Sequence, residues 1–299
     1  MNWVTRWREL RRIGVLGANA RNTRCILDHN PRGRFPLVDN KRAMHELCRS
    51  AGVRTPDLYA SLPTHAALRH LPRLLAPHDE FVIKPNRGAG GRGILVVTGR
   101  ADGGFLRQNG RWMTSDDVRR LTSEIISGLY SLGGFEDEAL VQERVRPDPS
   151  LERLSYRGTA DIRIVLYCSE PVMAMLRLPT RQSGGRANLH RGAVGVGVDV
   201  ATGVTTSAVL GNRKIDCHPD TGARVVGHRI ANWDDILTMA RTVSLAVGLG
   251  YLGVDIVHDR RRGPLLLEAN ARPGLAIQIA NRCGLLPRLE EVDRAFAAA

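Results

Sequence analysis

The chain has 299 residues, 43% of them hydrophobic, which suits one large or two moderate packed domains. Its net charge of +13 invites a nucleic-acid reading. But the basic residues are dispersed, only 5% of residues are aromatic, and no helix-turn-helix, zinc or RNA-binding signature is present, so nucleic acid is not the expected partner. No apolar run is long enough to span a membrane, the N-terminus lacks the apolar core of a secretory signal, and five scattered cysteines form no metal or disulfide pattern; a cytoplasmic protein is expected.

Residues 1–40 are Arg-rich. Ile13-Gly14-Val15-Leu16-Gly17-Ala18-Asn19 has the outline of a dinucleotide fingerprint but lacks the third glycine, a βαβ unit and the later acid, so the segment reads as an arm with one short helix near 20–29. A helix follows over 41–51, capped by Asp39 or Asn40 and stopped by Gly52. Phe81–Lys84 is a strand, 85–93 a glycine-rich loop and 94–97 a second strand. A helix is expected over 115–131 and a strand over 139–143, then a polar loop with two prolines from Arg146 to Gly158. Strands near 160–168 and 171–178, a basic loop over 179–192 and a strand near 193–200 come next. Residues 201–231 read as turns, 233–248 as a helix, then two strands around Asp255 and Glu268, and a last helix after Gly274. The pattern is α+β with mainly antiparallel sheets.

Chemistry concentrates at five places. Glu268 and Asn270 are two apart on one strand, hence on one face, and Asp255 sits mid-way along the preceding apolar run. Together they offer three hard oxygen ligands, a common way to hold Mg²⁺ against nucleotide phosphates; acids at strand ends are otherwise ordinary surface features. The loop after Lys84 carries Gly88, Gly90, Gly91 and Gly93, whose backbone amides can approach phosphates without a Cβ in the way. No Gly-Lys-Ser/Thr follows, so this is not a Walker loop. Only Lys41, Lys84 and Lys214 are lysines, against forty arginines, which makes each lysine an exception. Gln142 to Val145 is a strand entering a connector, able to offer backbone groups to an adenine edge. Asp161 and Arg163 share a strand face, where a plain salt bridge is the simple alternative, and Arg186, Asn188 and His190 crowd donors into one loop.

In order, Lys41, Lys84 with its glycine loop, Gln142-Glu143, Asp161-x-Arg163, Arg186-x-Asn188-x-His190, Asp255 and Glu268-x-Asn270-x-x-Pro273-Gly274 resemble the ATP-grasp superfamily over roughly residues 35–285. Within it the chain looks most like the ribosomal-protein-S6 glutamate ligase branch, the alpha-L-glutamate ligase-like proteins. The resemblance implies an α+β ATP-grasp fold, two subdomains clasping ATP: an arm over 1–40, a first subdomain with the lid over 41–145, and a second with the Mg site over 146–299. It implies that Lys41, Lys84, Arg186 and the Gly88–Gly93 lid hold phosphates. Glu143, Arg144 and Val145 would meet adenine, and Asp161 would lie near the ribose. Asp255, Glu268 and Asn270 would bind Mg²⁺ (Mn²⁺ as substitute), as two ions. Arg163, Asn188, His190 and Arg272 form the implied catalytic set, and Lys214 matches nothing and is expected at the surface. The implied activity is an ADP-forming carboxylate–amine ligase acting through an acyl phosphate on an anionic amino acid or peptide, glutamate being the type. A kinase-like phosphotransferase and a non-catalytic nucleotide-binding subunit stay open as alternatives, and a homo-oligomer is compatible with either. The relatives carry an α/β domain before the first lysine; 40 residues are too few for one.

Overall fold

The computed structural model describes residues 3–88, 90–101 and 103–298. Two antiparallel sheets organise it. The first contains β1 (Leu58–Leu62), β2 (Phe81–Pro85), β3 (Leu95–Ala101), β4 (Gly104–Arg107), β5 (Trp112–Met113) and β6 (Ala139–Gln142), in the order β1-β6-β2-β3-β4-β5. The second contains β7 (Asp161–Tyr167), β8 (Glu170–Leu178), β9 (Val194–Val198), β10 (Thr205–Leu210), β11 (Arg213–Ile215), β12 (Tyr251–Asp259) and β13 (Gly263–Asn270), in the order β11-β10-β9-β8-β7-β12-β13.

Strand alternation assigns the faces. In β2, Phe81 and Ile83 pack with Leu95, Val97 and the helix Ser115–Ile126, so Val82 and Lys84 turn to the other side. In β7, Ile162, Ile164 and Leu166 join the largest core, with the helices Trp233–Val247 and Lys41–Ser50; burying each such side chain contributes about 1.5–3 kcal/mol. Asp161, Arg163, Val165 and Tyr167 therefore line the opposite face.

That opposite face is apolar only at one end. There Val165, Tyr167, Met173, Met175 and Tyr251 meet Leu16, Cys25, Ile277 and Leu289. Residues 13–30 are fixed onto this end rather than trailing as an arm. The Gln278 side chain accepts from Leu16 N (2.8 Å) and donates to Leu16 O (3.1 Å), and Asn30 bridges Tyr251 and Ala271. The expected short helix is a continuous helical stretch from Ala18 with a π-helical segment Arg21–Leu27.

Several expected elements change. The helix expected over 115–131 ends at Ile126, because the chain turns at Gly128 (φ +82°), where a Cβ would sit 2.2 Å from the Phe135 carbonyl. Residues 201–231 contain β10 and β11, and the last helix is two, Ile277–Asn281 and Leu286–Ala297. The expected polar loop after Arg146 holds a short helix, Pro149–Glu152, capped by Asp148. The helix Lys41–Ser50 is capped by Asn40, whose side chain accepts from Ala43 N, and Gly52 stops the turn at φ +71°. Among the described residues no helix is long and apolar enough to cross a membrane, and all five cysteines are free.

Candidate nucleotide site

Lys41 opens its helix beside the glycine loop and donates from Nζ to Gly88 O at 2.6 Å. Buried Asn86 joins the two elements: its carbonyl oxygen accepts from Lys41 N, and its side chain accepts from Arg42 N (2.9 Å) and donates to Glu138. Asp137 accepts from Arg87 N through both oxygens (3.1 and 2.9 Å). The stem of the loop is thus pinned, while Gly90, Gly91 and Gly93 hold φ near +70° beyond it. Gly93 also presses on Tyr130, leaving no room for a side chain.

Lys84 lies half-buried on the inner face of β2. Burial first, and then the neighbouring Lys41, pull its ammonium down to about 7 against the opposing pull of Glu268. Lys41, Lys84, Leu140, Gln142, Leu266 and Leu267 border a crevice of about 380 Å³ of empty space, its open mouth included. The connector 143–145 beside it is braced. Glu143 accepts from Asp57 N (3.1 Å) and from Arg262, Arg144 pairs with Glu80 at 2.7 Å, and Val145 packs with Val257 and Leu265.

On the second sheet, Asp255 stands opposite Glu268 on one side and Arg163 on the other, and Gly253 stands opposite Asn270. Opposed residues share a face, so Asp255, Glu268 and Asn270 line one surface. A β-bulge after Asp255 sets this register: from Ile256 onward the pairing is one residue out of step, and without the bulge Asp255 would face Leu267. A second bulge between Val165 and Leu166 puts Arg177 opposite Asp161.

The result is a closed cluster. Arg163 donates to both oxygens of Asp255 at 2.6 Å, Arg177 donates to Asp255 at 2.7 Å, and Arg177 also grips Asp161 through both of its oxygens. Asp161 and Arg163, neighbours on one strand face, do not pair with each other. Burial opposes the charge on Asp255, but Arg163 and Arg177 outweigh it and hold the carboxyl well below the usual range. Asp161 is the more easily protonated acid: burial raises it, Arg177 opposes and the Asp255 charge adds to the rise.

Glu268 makes no side-chain hydrogen bond or ion pair among the described residues, and Asn270 Oδ1 accepts from Arg272 N at 2.9 Å. No three His, Cys, Asp or Glu side chains converge among the described residues, so Asn270 is needed as a donor. Two carboxylates and an amide oxygen on one face are a hard-oxygen set that fits a Mg²⁺ held jointly with phosphates, once the arginines leave Asp255.

Arg186 reaches across from the second sheet and its Nε donates to Gly91 O at 3.4 Å. Asn188 caps the short turn Leu189–Arg191, and His190 is exposed. The Arg272 guanidinium lies 4.5 Å from the centre of the Phe35 ring, and Lys214 is exposed on β11. Asn86, Asp137, Glu138, Arg177 and Arg262 all shape the site and carried little sequence signal.

Residues 20–294 match the family described as sugar-transfer associated ATP-grasp. The fold is the ATP-grasp fold. The D-cycloserine synthetase DcsG is similar in structure, with a TM-score of 0.50 and 13% identity over 89% of this chain and 72% of that one. The ATP-grasp ligase PsnB with its minimal precursor aligns with a TM-score of 0.49 and 14% identity over 89% of this chain. The D-alanine–D-alanine ligase of Bacillus anthracis aligns at 0.46 and 12%, over 86% of this chain and 62% of that one. The chain spans 62% of the length of the PsnB structure. No curated protein matches.

Proposed function

The chain belongs to the sugar-transfer associated ATP-grasp family, and from that premise and the site geometry we propose an ADP-forming, ATP-dependent ligase that joins a carboxylate to an amine through an acyl phosphate. The observation that carries this reading is the convergence between the two sheets of Lys41, Lys84 and the glycine loop with Asp255, Glu268, Asn270 and two arginines. Lys41, Lys84 and the loop amides bind the phosphates. Asp255, Glu268 and Asn270 would hold Mg²⁺, or Mn²⁺ in its place and as two ions, which neutralises phosphate charge and polarises the γ-phosphoryl group. Arg163 and Arg177 turn from Asp255 to the transferring oxygens as a carboxylate attacks the γ-phosphorus in line and ADP leaves with the bridging oxygen, and they stabilise the charge that develops there. The acyl phosphate is then attacked by an amine, whose proton His190 accepts, and phosphate leaves. The lid, with Arg186 across it, excludes water from the intermediate.

The Arg186-x-Asn188-x-His190 loop favours the glutamate-ligase-like reading, with an acidic amino acid as one substrate. Free thiols favour a cytoplasmic setting. One observation favours a second reading, a nucleotide-binding regulatory subunit: both oxygens of Asp255 are already taken by arginine. ADP release from Mg·ATP across pools of amino acids, with hydroxylamine as trap, separates the two. Amino-acid-dependent release with a hydroxamate product supports the ligase. Tight ATP binding with no turnover in any pool supports the regulatory subunit.

A further inference from the structure

A second cleft lies between the β3–β4 hairpin and the connector from Arg144 to Gly158, with a cavity volume of about 300 Å³, at the lower end of the range suited to a small molecule. Its charges are unbalanced. Arg107, Arg144 and Arg157 line it against one acid, Glu152, which is exposed and paired outward with Arg260 at 2.8 Å. Arg144 shares the single carboxylate of Glu80 with Arg146. Neither Arg107 nor Arg157 has a carboxylate partner among the described residues. Arg107 is half-buried, and burial, then Arg111, then Arg186 pull its guanidinium down, so it sits among like charges with no carboxylate of its own among the described residues.

Arg157 adds an independent sign. It sits at φ +46°, a conformation that a non-glycine residue rarely adopts and that concentrates at ligand sites. The next residue, Gly158, is packed so tightly on Gly185 O that a Cβ would lie 2.2 Å away, which fixes the rim of the cleft to the 179–192 loop. Between the arginines, Gln108 has no side-chain hydrogen bond among the described residues, and the hydroxyls of Thr98 and Ser155 each use only their proton, on Leu106 O and Leu151 O. Paired guanidinium forks suit phosphate or carboxylate, and neutral polar groups between them suit hydroxyls.

We propose that this cleft binds a small polyhydroxylated anion, a sugar phosphate or a sugar acid, through Arg107 and Arg157. The affinity of the cleft for the anion does not rest on the ligase reading above. The test is calorimetric titration of the whole chain with glucose 6-phosphate, glucuronate and glucose at low salt, with and without saturating ATP. One of the two anions binds, glucose does not, and the anion that binds tells phosphate from carboxylate. Arg107→Gln and Arg157→Gly each weaken that binding tenfold or more and change ATP affinity less than twofold. Arg157→Gly keeps the fold, since glycine accepts φ +46° without strain. The proposal is overturned if neither anion binds, if glucose binds equally well, if binding survives both substitutions, or if ATP displaces the anion. Anion binding without amino-acid-dependent ADP release would uphold the cleft and remove the ligase reading.

Discussion

The inner face of the second sheet treats burial in two ways along the same strands. At one end Val165, Tyr167, Met175 and Tyr251 are covered by residues 13–30 and the C-terminal helices. At the other, two positions further along β7 and β8, Arg163 and Arg177 are covered chiefly by the acids they bind, Asp255 and Asp161. The apolar end gains stability from every contact. The charged end costs desolvation that its ion pairs offset only while all partners are present. A sheet that had only to fold would carry the apolar pattern throughout, so the charged end marks where this chain gives up stability for ligand chemistry.

The sharpest way to break this contrast is Glu268→Gln. With no ion pair to lose, stability should change by less than about 0.5 kcal/mol, while ATP turnover falls about 100- to 1000-fold. Parallel melting and ADP-release assays read both, and a large loss of stability with turnover retained would reverse the assignment. Asp255→Asn should lose both, with stability down by about 3 kcal/mol or more in urea unfolding because buried Arg163 is left without a carboxylate and Arg177 keeps only Asp161. At the covered end, Ile277→Ala should cost about 3 kcal/mol by the same measurement and leave ATP affinity unchanged.

Smaller effects refine the boundary. Bound phosphate restores the charge on Lys84. ATP affinity should therefore be highest below pH 7 and weaken by up to about tenfold per unit above it, which titrations from pH 6 to 9 would reveal. The stability linkage has the opposite slope. The folded pKa lies below the unfolded one, so the unfolded chain binds more protons between them. The cost of charging Lys84 is full below about 7 and is relieved as pH rises. Lys84→Met should accordingly raise the apo melting temperature at pH 6 and abolish ATP binding. The smallest effect is Tyr167→Phe, which removes a hydroxyl that donates to Asp293 at 2.9 Å and meets His29; about 1 kcal/mol is expected, with turnover unaffected.

Much of this was legible because apolar spacing is local. β7, β8, β12, β13 and the helix Trp233–Val247 announce themselves by period and punctuation. Glu268 and Asn270 share a face by counting alone. Two of the cross-strand partners were not legible, because each depends on a bulge. One extra residue near Leu267 sets Glu268 rather than Leu267 opposite Asp255, and another near Val165 brings Arg177 to Asp161. β10 and β11 were hidden by short length and Thr/Ser content, and the packing of residues 13–30 by apolar residues too sparse to show a period. The end of the helix Ser115–Ile126 depends on the close approach of Gly128 to the Phe135 backbone, seven residues on, that no local pattern encodes.

The scarcity of lysine gives the nucleotide site its own chemical handle. At neutral pH an amine with a pKa near 7 is far more reactive toward acylating reagents than ordinary lysines, and here only Lys41 and exposed Lys214 compete among side chains. Brief treatment with a small amine-selective reagent should therefore modify Lys84 first, wherever the reagent can enter the crevice, and protection of that one position by ATP would report site occupancy directly by mass.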